Sequence, residues 1–270
     1  MHLKGLPMNH SPSSIPAKFL KLERENKEFI AYNRFDKKNK NLSEVLFLGG
    51  FKSDMTGTKA TFLESICEKR GQTYTRFDYF GHGASSGNFT DGTIGQWLSD
   101  TLAVIDELTQ GPLILVGSSM GGWLMTLAAL ARPDRVQGLL GIAAAPDFTE
   151  ELIWAGLTDG QRKDFVRYGI MQTPSQYENE GFPITLQLIE EGREHLVLPK
   201  PIDIHCPAHF IHGAADQDVP WMLSRRLARR IKSSNVTLTL IKNGDHRLNT
   251  PLALGRFASL LNEISHLGNN

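Results

Sequence analysis

The sequence predicts an α/β protein: a mostly parallel central sheet, helices on both faces and a small helical insertion over one end. Three observations carry that prediction. From about residue 19 onward, short apolar runs alternate with longer stretches of helical spacing, the rhythm of strands joined by crossover helices. The strand candidates are apolar runs, as expected of strands covered on both faces. The alternation breaks once, between Pro146 and Pro207, where amphipathic helical patterns (about 149–157, 160–168 and 184–194) follow one another and no strand is expected.

The elements follow in order. Residues 19–28 and 29–35 read as two strands, joined as a hairpin. Residues 44–48 form an apolar run of buried-strand length that ends in Gly49-Gly50. A helical pattern over 60–69 closes at Gly71 and leads to a strand at 73–79. Residues 94–108 place Trp97, Leu98, Leu102, Ile105 and Leu108 at helical spacing. Residues 113–116 are the purest strand in the chain, and an apolar helix over 121–131 follows until Pro133 stops it. Further strands are expected at 136–144 and 209–212, then helix, strand and helix over 221–231, 236–241 and 252–267. This reads as a flexible N-terminal arm over 1–18 and one domain over 19–268, whose insertion at about 147–206 is a lid.

Composition excludes several classes of function. Lys+Arg and Asp+Glu both total 29, for a formal net charge of +0, so the basic footprint of a nucleic-acid binder is missing. Two cysteines, Cys67 and Cys206, are too few for a disulfide framework or a thiolate zinc site. No apolar run is long enough to span a bilayer, and the Pro-interrupted N-terminus lacks the apolar core of a secretory signal. The expected compartment is the cytoplasm. No metal constellation, Walker loop or dinucleotide fingerprint is present, so no cofactor is expected.

Chemistry concentrates after the purest strand. Gly117-Ser118-Ser119-Met120-Gly121 matches G-x-S-x-G, the pattern of a nucleophile on a strained strand-to-helix turn, where only hydrogen fits at the flanking positions. Gly83-Ala84-Ser85-Ser86-Gly87 matches as well, but it lies in a Gly/Ser-rich loop followed by turn residues. Only Ser119 has a strand before it and a helix after it, and it is the candidate nucleophile.

A serine hydroxyl needs a base to take its proton, and the base needs an orienting group. In such sheets the chain order is Ser, acid, His. Of the nine histidines, His246 stands in the loop after the last strand, where it can reach over the strand ends. His82 and His212 have the wrong order or position; His205 and His209 flank the start of a strand. For the acid, Asp216 is favoured because it lies just past a strand's C-terminal end, with Asp218 and Asp147 as alternatives. The oxyanion donors are expected to be the backbone N–H of Met120 and, from the loop after Gly49-Gly50, that of Phe51. Leu152, Ile153, Trp154, Phe165, Tyr168 and Met171 are candidates to line an acyl pocket or simply to pack the lid.

Gly117-x-Ser119-x-Gly121, the Asp-Tyr-Phe-Gly-His-Gly turn at 78–83, His212-Gly-x-x-Asp216-x-x-Val-Pro220 and Asp245-His246 together resemble the α/β-hydrolase superfamily over about residues 19–268. Arg76-Phe-Asp-Tyr79, Ala131-Arg-Pro133, Val219-Pro-Trp221 and Asp245-His-Arg247 are similar to a thioesterase branch that also cleaves acyl glucuronides. The resemblance implies a Ser119–His246–Asp216 triad, an acyl-enzyme intermediate and no cofactor. Gly49 stands where many members carry His, with little consequence expected for a backbone donor. The expected function is hydrolysis of thioesters or carboxylic esters. The same triad also serves acyltransferases, carbon–carbon hydrolases and serine peptidases, and a non-catalytic binding module is the remaining class. The expected partner is an acylated or small-molecule substrate, without nucleic acid or membrane insertion.

Overall fold

The computed structural model describes residues 16–23, 28–36, 41–173 and 181–267. Residues 1–15 of the expected arm therefore lie outside the described residues. The central sheet has eight strands, in the order β1 (Lys18–Lys21), β2 (Phe29–Phe35), β4 (Tyr74–Phe77), β3 (Glu44–Leu48), β5 (Leu113–Ser118), β6 (Val136–Ile142), β9 (Ala208–Gly213) and β10 (Val236–Ile241). β1 and β2 form the expected antiparallel pair, and β2 meets β4 antiparallel. From β4 to β10 every pairing is parallel.

The period of two along β5 creates the two cores. Leu113 and Leu115 join one cluster with Trp97, Ile105, Trp123 and Leu227, under α2 (Ile94–Leu108), α3 (Met120–Ala131) and α6 (Met222–Arg230). Ile114 and Val116 join the other with Leu63, Phe257 and Leu261, under α1 (Thr58–Arg70) and α7 (Pro251–Leu267). All these side chains are buried, and each fully buried Leu, Ile or Phe stabilises the fold by roughly 1.5–3 kcal/mol. Local signals set the helix ends. Thr93 Oγ1 accepts the Gln96 N–H at 3.2 Å to cap α2, and Gly71 closes α1 in the left-handed region at φ 65°.

Between β6 and β9 the chain makes an excursion. It contains a π-helical turn at Thr149–Trp154, α4 (Asp159–Tyr168) and α5 (Leu186–Gly192). The expectation of no strand here is corrected: β7 (Ile170–Thr173) and β8 (Phe182–Thr185) pair antiparallel, and α5 starts after β8 rather than at 184. Each strand has four residues, β8 contains Pro183, and a proline inside a short run removes a ladder donor and argues against a strand in sequence. The excursion is tied down at its base. Asp147 accepts the N–H of Val197 at 2.9 Å and of Leu198 at 2.8 Å. Glu191 of α5 accepts the Gly95 N–H at 2.8 Å, at the start of α2.

Candidate active site

The turn from β5 into α3 is sterically determined. Ser119 has φ 54° and ψ −120°, a conformation that costs a non-glycine residue roughly 1–3 kcal/mol. Close packing holds it there. A Cβ on Gly117 would stand 2.3 Å from the Gly121 carbonyl oxygen, and one on Gly121 would stand 2.2 Å from that of Leu48. The two motif glycines thus let α3 descend onto the ends of β3 and β5.

Ser119 follows β5, Asp216 follows β9 and His246 follows β10, so all three stand at C-terminal strand ends, where open α/β sheets place functional groups. The structure brings them together. Ser119 Oγ is 3.1 Å from His246 Nε2, and His246 Nδ1 is 2.7 Å from Asp216 Oδ2. With the proton on Nδ1, the ring donates to Asp216 and accepts from the Ser119 hydroxyl. Asp216 Oδ1 accepts the N–H of Asp218 at 3.0 Å and of Val219 at 2.9 Å. Burial pushes the Asp216 carboxyl up, but hydrogen bonds from His212 and His246 and the adjacent imidazole charge hold it well below the usual carboxylate range.

The other candidates have structural partners. Ser85 Oγ donates to the Asp78 carbonyl and accepts the Ala31 N–H at 2.8 Å, so it is held by two backbone groups. Asp147 holds the base of the excursion, and burial raises its carboxyl to about 6 against the pull of the Val197 and Leu198 N–H groups. Asp216, Asp218 and His246 are a group among the described residues whose ligand atoms converge as a metal site would need. Asp216 and His246 are already committed to each other there.

Two histidines set aside in the sequence belong to this region. His212, fully buried, places Nε2 3.1 Å from Asp216 Oδ2 and 2.9 Å from the Val219 carbonyl. Its Nδ1 lies 2.7 Å from Ser224 Oγ. The His212/Asp216 spacing of four across a strand-end turn was the available signal. His82, within the 78–83 turn, accepts the Lys52 N–H on Nε2 at 3.1 Å.

Phe51 and Met120 line one cavity with Ser119 and His246, of about 270 Å³. The 49–51 backbone passes beside Ser119: a Cβ on Gly50 would meet Ser119 Cβ at 3.3 Å. The cavity wall is mostly apolar, from Ala145, Phe148, Leu152, Ile153, Phe182, Ile184 and Val219, with Thr173 and Asp218 as its polar members. Of the six candidates to line an acyl pocket or simply to pack the lid, Leu152 and Ile153 line the cavity. Phe165 is instead buried in the core against Trp154, and Tyr168 is 65% exposed. A second hollow, of about 370 Å³, shares Ser119 and His246 but is bordered by Lys52, Asp54, Lys59 and Arg247. Lys59 Nζ donates to the Arg247 carbonyl at 2.9 Å, and burial lowers its ammonium to about 8.

A mostly parallel sheet carrying a serine on a strained elbow, with a histidine and an aspartate at neighbouring strand ends, defines a class, and comparison agrees. Residues 45–258 match the alpha/beta hydrolase family. The chain belongs to that family and is a hydrolase. It is similar to the mitochondrial palmitoyl-protein thioesterase ABHD10 of Bos taurus, with 41% identity over 228 residues, 84% of this chain and 73% of that protein. The Homo sapiens protein of the same name is 40% identical over 228 residues, again 84% of this chain and 73% of its own length. In structure it matches mouse alpha/beta hydrolase domain-containing protein 10 at a TM-score of 0.84 and 37% identity, covering 92% of this chain and 98% of that one. No helix among the described residues is long and apolar enough to cross a membrane.

Proposed function

We propose that the protein is a serine hydrolase that cleaves acyl thioesters or carboxylic esters through an acyl-enzyme on Ser119. The observation that carries this reading is the hydrogen-bond chain from Ser119 Oγ through His246 to Asp216, at 3.1 and 2.7 Å. His246 Nε2 takes the hydroxyl proton as Ser119 Oγ attacks the acyl carbon. The N–H groups of Met120 and Phe51 donate hydrogen bonds to the carbonyl oxygen as negative charge develops on it. Collapse expels the thiol or alcohol, which leaves with the proton from His246. Water then attacks the acyl-enzyme with His246 again as base. Asp216 orients the ring and stabilises the imidazolium.

The apolar cavity beside Ser119 supports an acyl group seated there, under the 147–206 insertion acting as a lid. The more polar hollow that shares Ser119 and His246 supports exit of the leaving group. Similarity to proteins named palmitoyl-protein thioesterase favours thioesters of long acyl chains. The same name favours a mitochondrial setting for a eukaryotic chain.

A fluorophosphonate probe followed by peptide mass spectrometry tests this. The expected result is one adduct on Ser119 that H246A abolishes, with S119A lowering acyl-ester turnover by roughly 10⁴-fold or more. An adduct on Ser85, or S119A retaining wild-type activity, would overturn the reading.

A further inference from the structure

We propose that His82 is a positioning residue for the oxyanion loop: its Nε2 accepts the Lys52 N–H and so fixes the backbone that carries Phe51 beside Ser119. This rests on the reading of Phe51 as an oxyanion donor. Lys52 is not glycine, yet it sits at φ 54°, a conformation that persists only where its surroundings over-determine it. The bond of 3.1 Å from Lys52 N–H to His82 Nε2 supplies that constraint.

The ring that accepts the bond is itself locked. It is 3% exposed and packs edge-on against Tyr79, Phe89 and Trp97, with centroids 5.5, 5.1 and 5.2 Å away. His82 Nδ1 is 3.1 Å from the Phe80 carbonyl, which also accepts the Trp97 indole N–H at 3.0 Å. A proton on Nδ1 satisfies that carbonyl and leaves Nε2 as an acceptor. Burial lowers the imidazole to about 4, against the pull of the Phe80 carbonyl, so the neutral tautomer persists at neutral pH. An aromatic residue placed only to fill the core would need no acceptor at this atom.

Two substitutions separate these roles. H82F keeps the ring and removes the acceptor; H82Q removes the ring and keeps an acceptor at similar reach. Turnover of p-nitrophenyl octanoate and of octanoyl-N-acetylcysteamine is measured beside wild type and S119A. The expected result is a fall in kcat of roughly 10- to 100-fold for H82F, with KM moving far less, since a displaced oxyanion donor is felt in the transition state. H82Q is expected to recover most of that kcat, and H82F to bind an octyl trifluoromethyl ketone, which forms an oxyanion adduct on serine, correspondingly less tightly. Wild-type kcat in H82F, or a loss in H82Q equal to that in H82F, overturns the proposal. Turnover that survives S119A would instead remove the reading beneath it. Long-range ¹H–¹⁵N spectra of the unmutated protein decide the matter should H82F fail to fold. The Nδ1–H tautomer of His82 is expected, and the Nε2–H tautomer overturns the brace.

Discussion

The imidazoles of His212 and His246 converge on one oxygen: Asp216 Oδ2 lies 3.1 Å from His212 Nε2 and 2.7 Å from His246 Nδ1. The first histidine is fully enclosed, and the second reaches the cavity that contains Ser119. The carboxylate is therefore held from behind by a ring with no exposed surface. Replacing His212 by leucine keeps most of its volume but deletes the donor. kcat is expected to fall on the order of tenfold, a fraction of the roughly 10⁴-fold cost of removing a triad acid. Steady-state kinetics of H212L beside D216N measures the ratio, and parity with wild type would contradict it.

Asp147 makes stability depend on pH. Its carboxyl rises to about 6 in the folded protein, chiefly through burial, against about 3.9 in an unfolded chain. Between those values the folded state binds more protons, so stability falls as pH rises from 4 to 6 and is level above. The loss is on the order of 3 kcal/mol for a shift of this size. D147N lacks the titration. Urea unfolding at pH 4.5 and 7.5 should show the wild-type advantage over D147N shrinking at the higher pH.

Gly121→Ala tests the elbow. An added Cβ would meet the Leu48 carbonyl oxygen at 2.2 Å and that of Gly49 at 2.6 Å, both backbone atoms that cannot swing aside. The expected cost is about 3 kcal/mol or more, at the upper end of overpacking, with a matching fall in Tm by thermal melting. A glycine with open space around it, Gly160 in α4, should tolerate the same change.

Leu152 lines the mostly apolar cavity, and Leu152→Trp fills part of it. Long acyl chains should lose kcat/KM relative to short ones, by ten- to a hundredfold between octanoyl and acetyl esters, given 1–3 kcal/mol per poorly accommodated methylene. A uniform loss across chain lengths would place the acyl group elsewhere.

Much of the fold was legible because the central strands and helices are long, apolar and regular. The predicted bounds 44–48 and 94–108 coincide with β3 and α2. The β7–β8 hairpin was not, since two four-residue, half-exposed strands with a proline carry no period that sequence can register. Among site candidates, Ser119, Asp216 and His246 could be chosen by their place after strands, a local property. His82 and His212 were weighed only as bases, and chain order or position in the strand-end turn excluded them. Their partners are a backbone N–H thirty residues upstream and a carboxylate that also serves another ring. Such pairings belong to the folded surface rather than to any segment. The aromatic part of the cavity wall was hidden for the same reason: Phe148 and Phe182, from two distant stretches, each meet Phe51 edge-on.

β6 pairs directly with β9, from Leu139 opposite Ala208 to Ile142 opposite Ile211. The chain thus leaves and rejoins the sheet at adjacent strands, about 5 Å apart. Whatever lies between them closes on a fixed doorway, and doubling the length of such a loop adds only about 0.6 kcal/mol of closure entropy. The scaffold is accordingly almost indifferent to the size of this cassette. A lineage could shorten, lengthen or exchange it, and change what the chamber admits, while the elbow and the two loops that face it stay as they are.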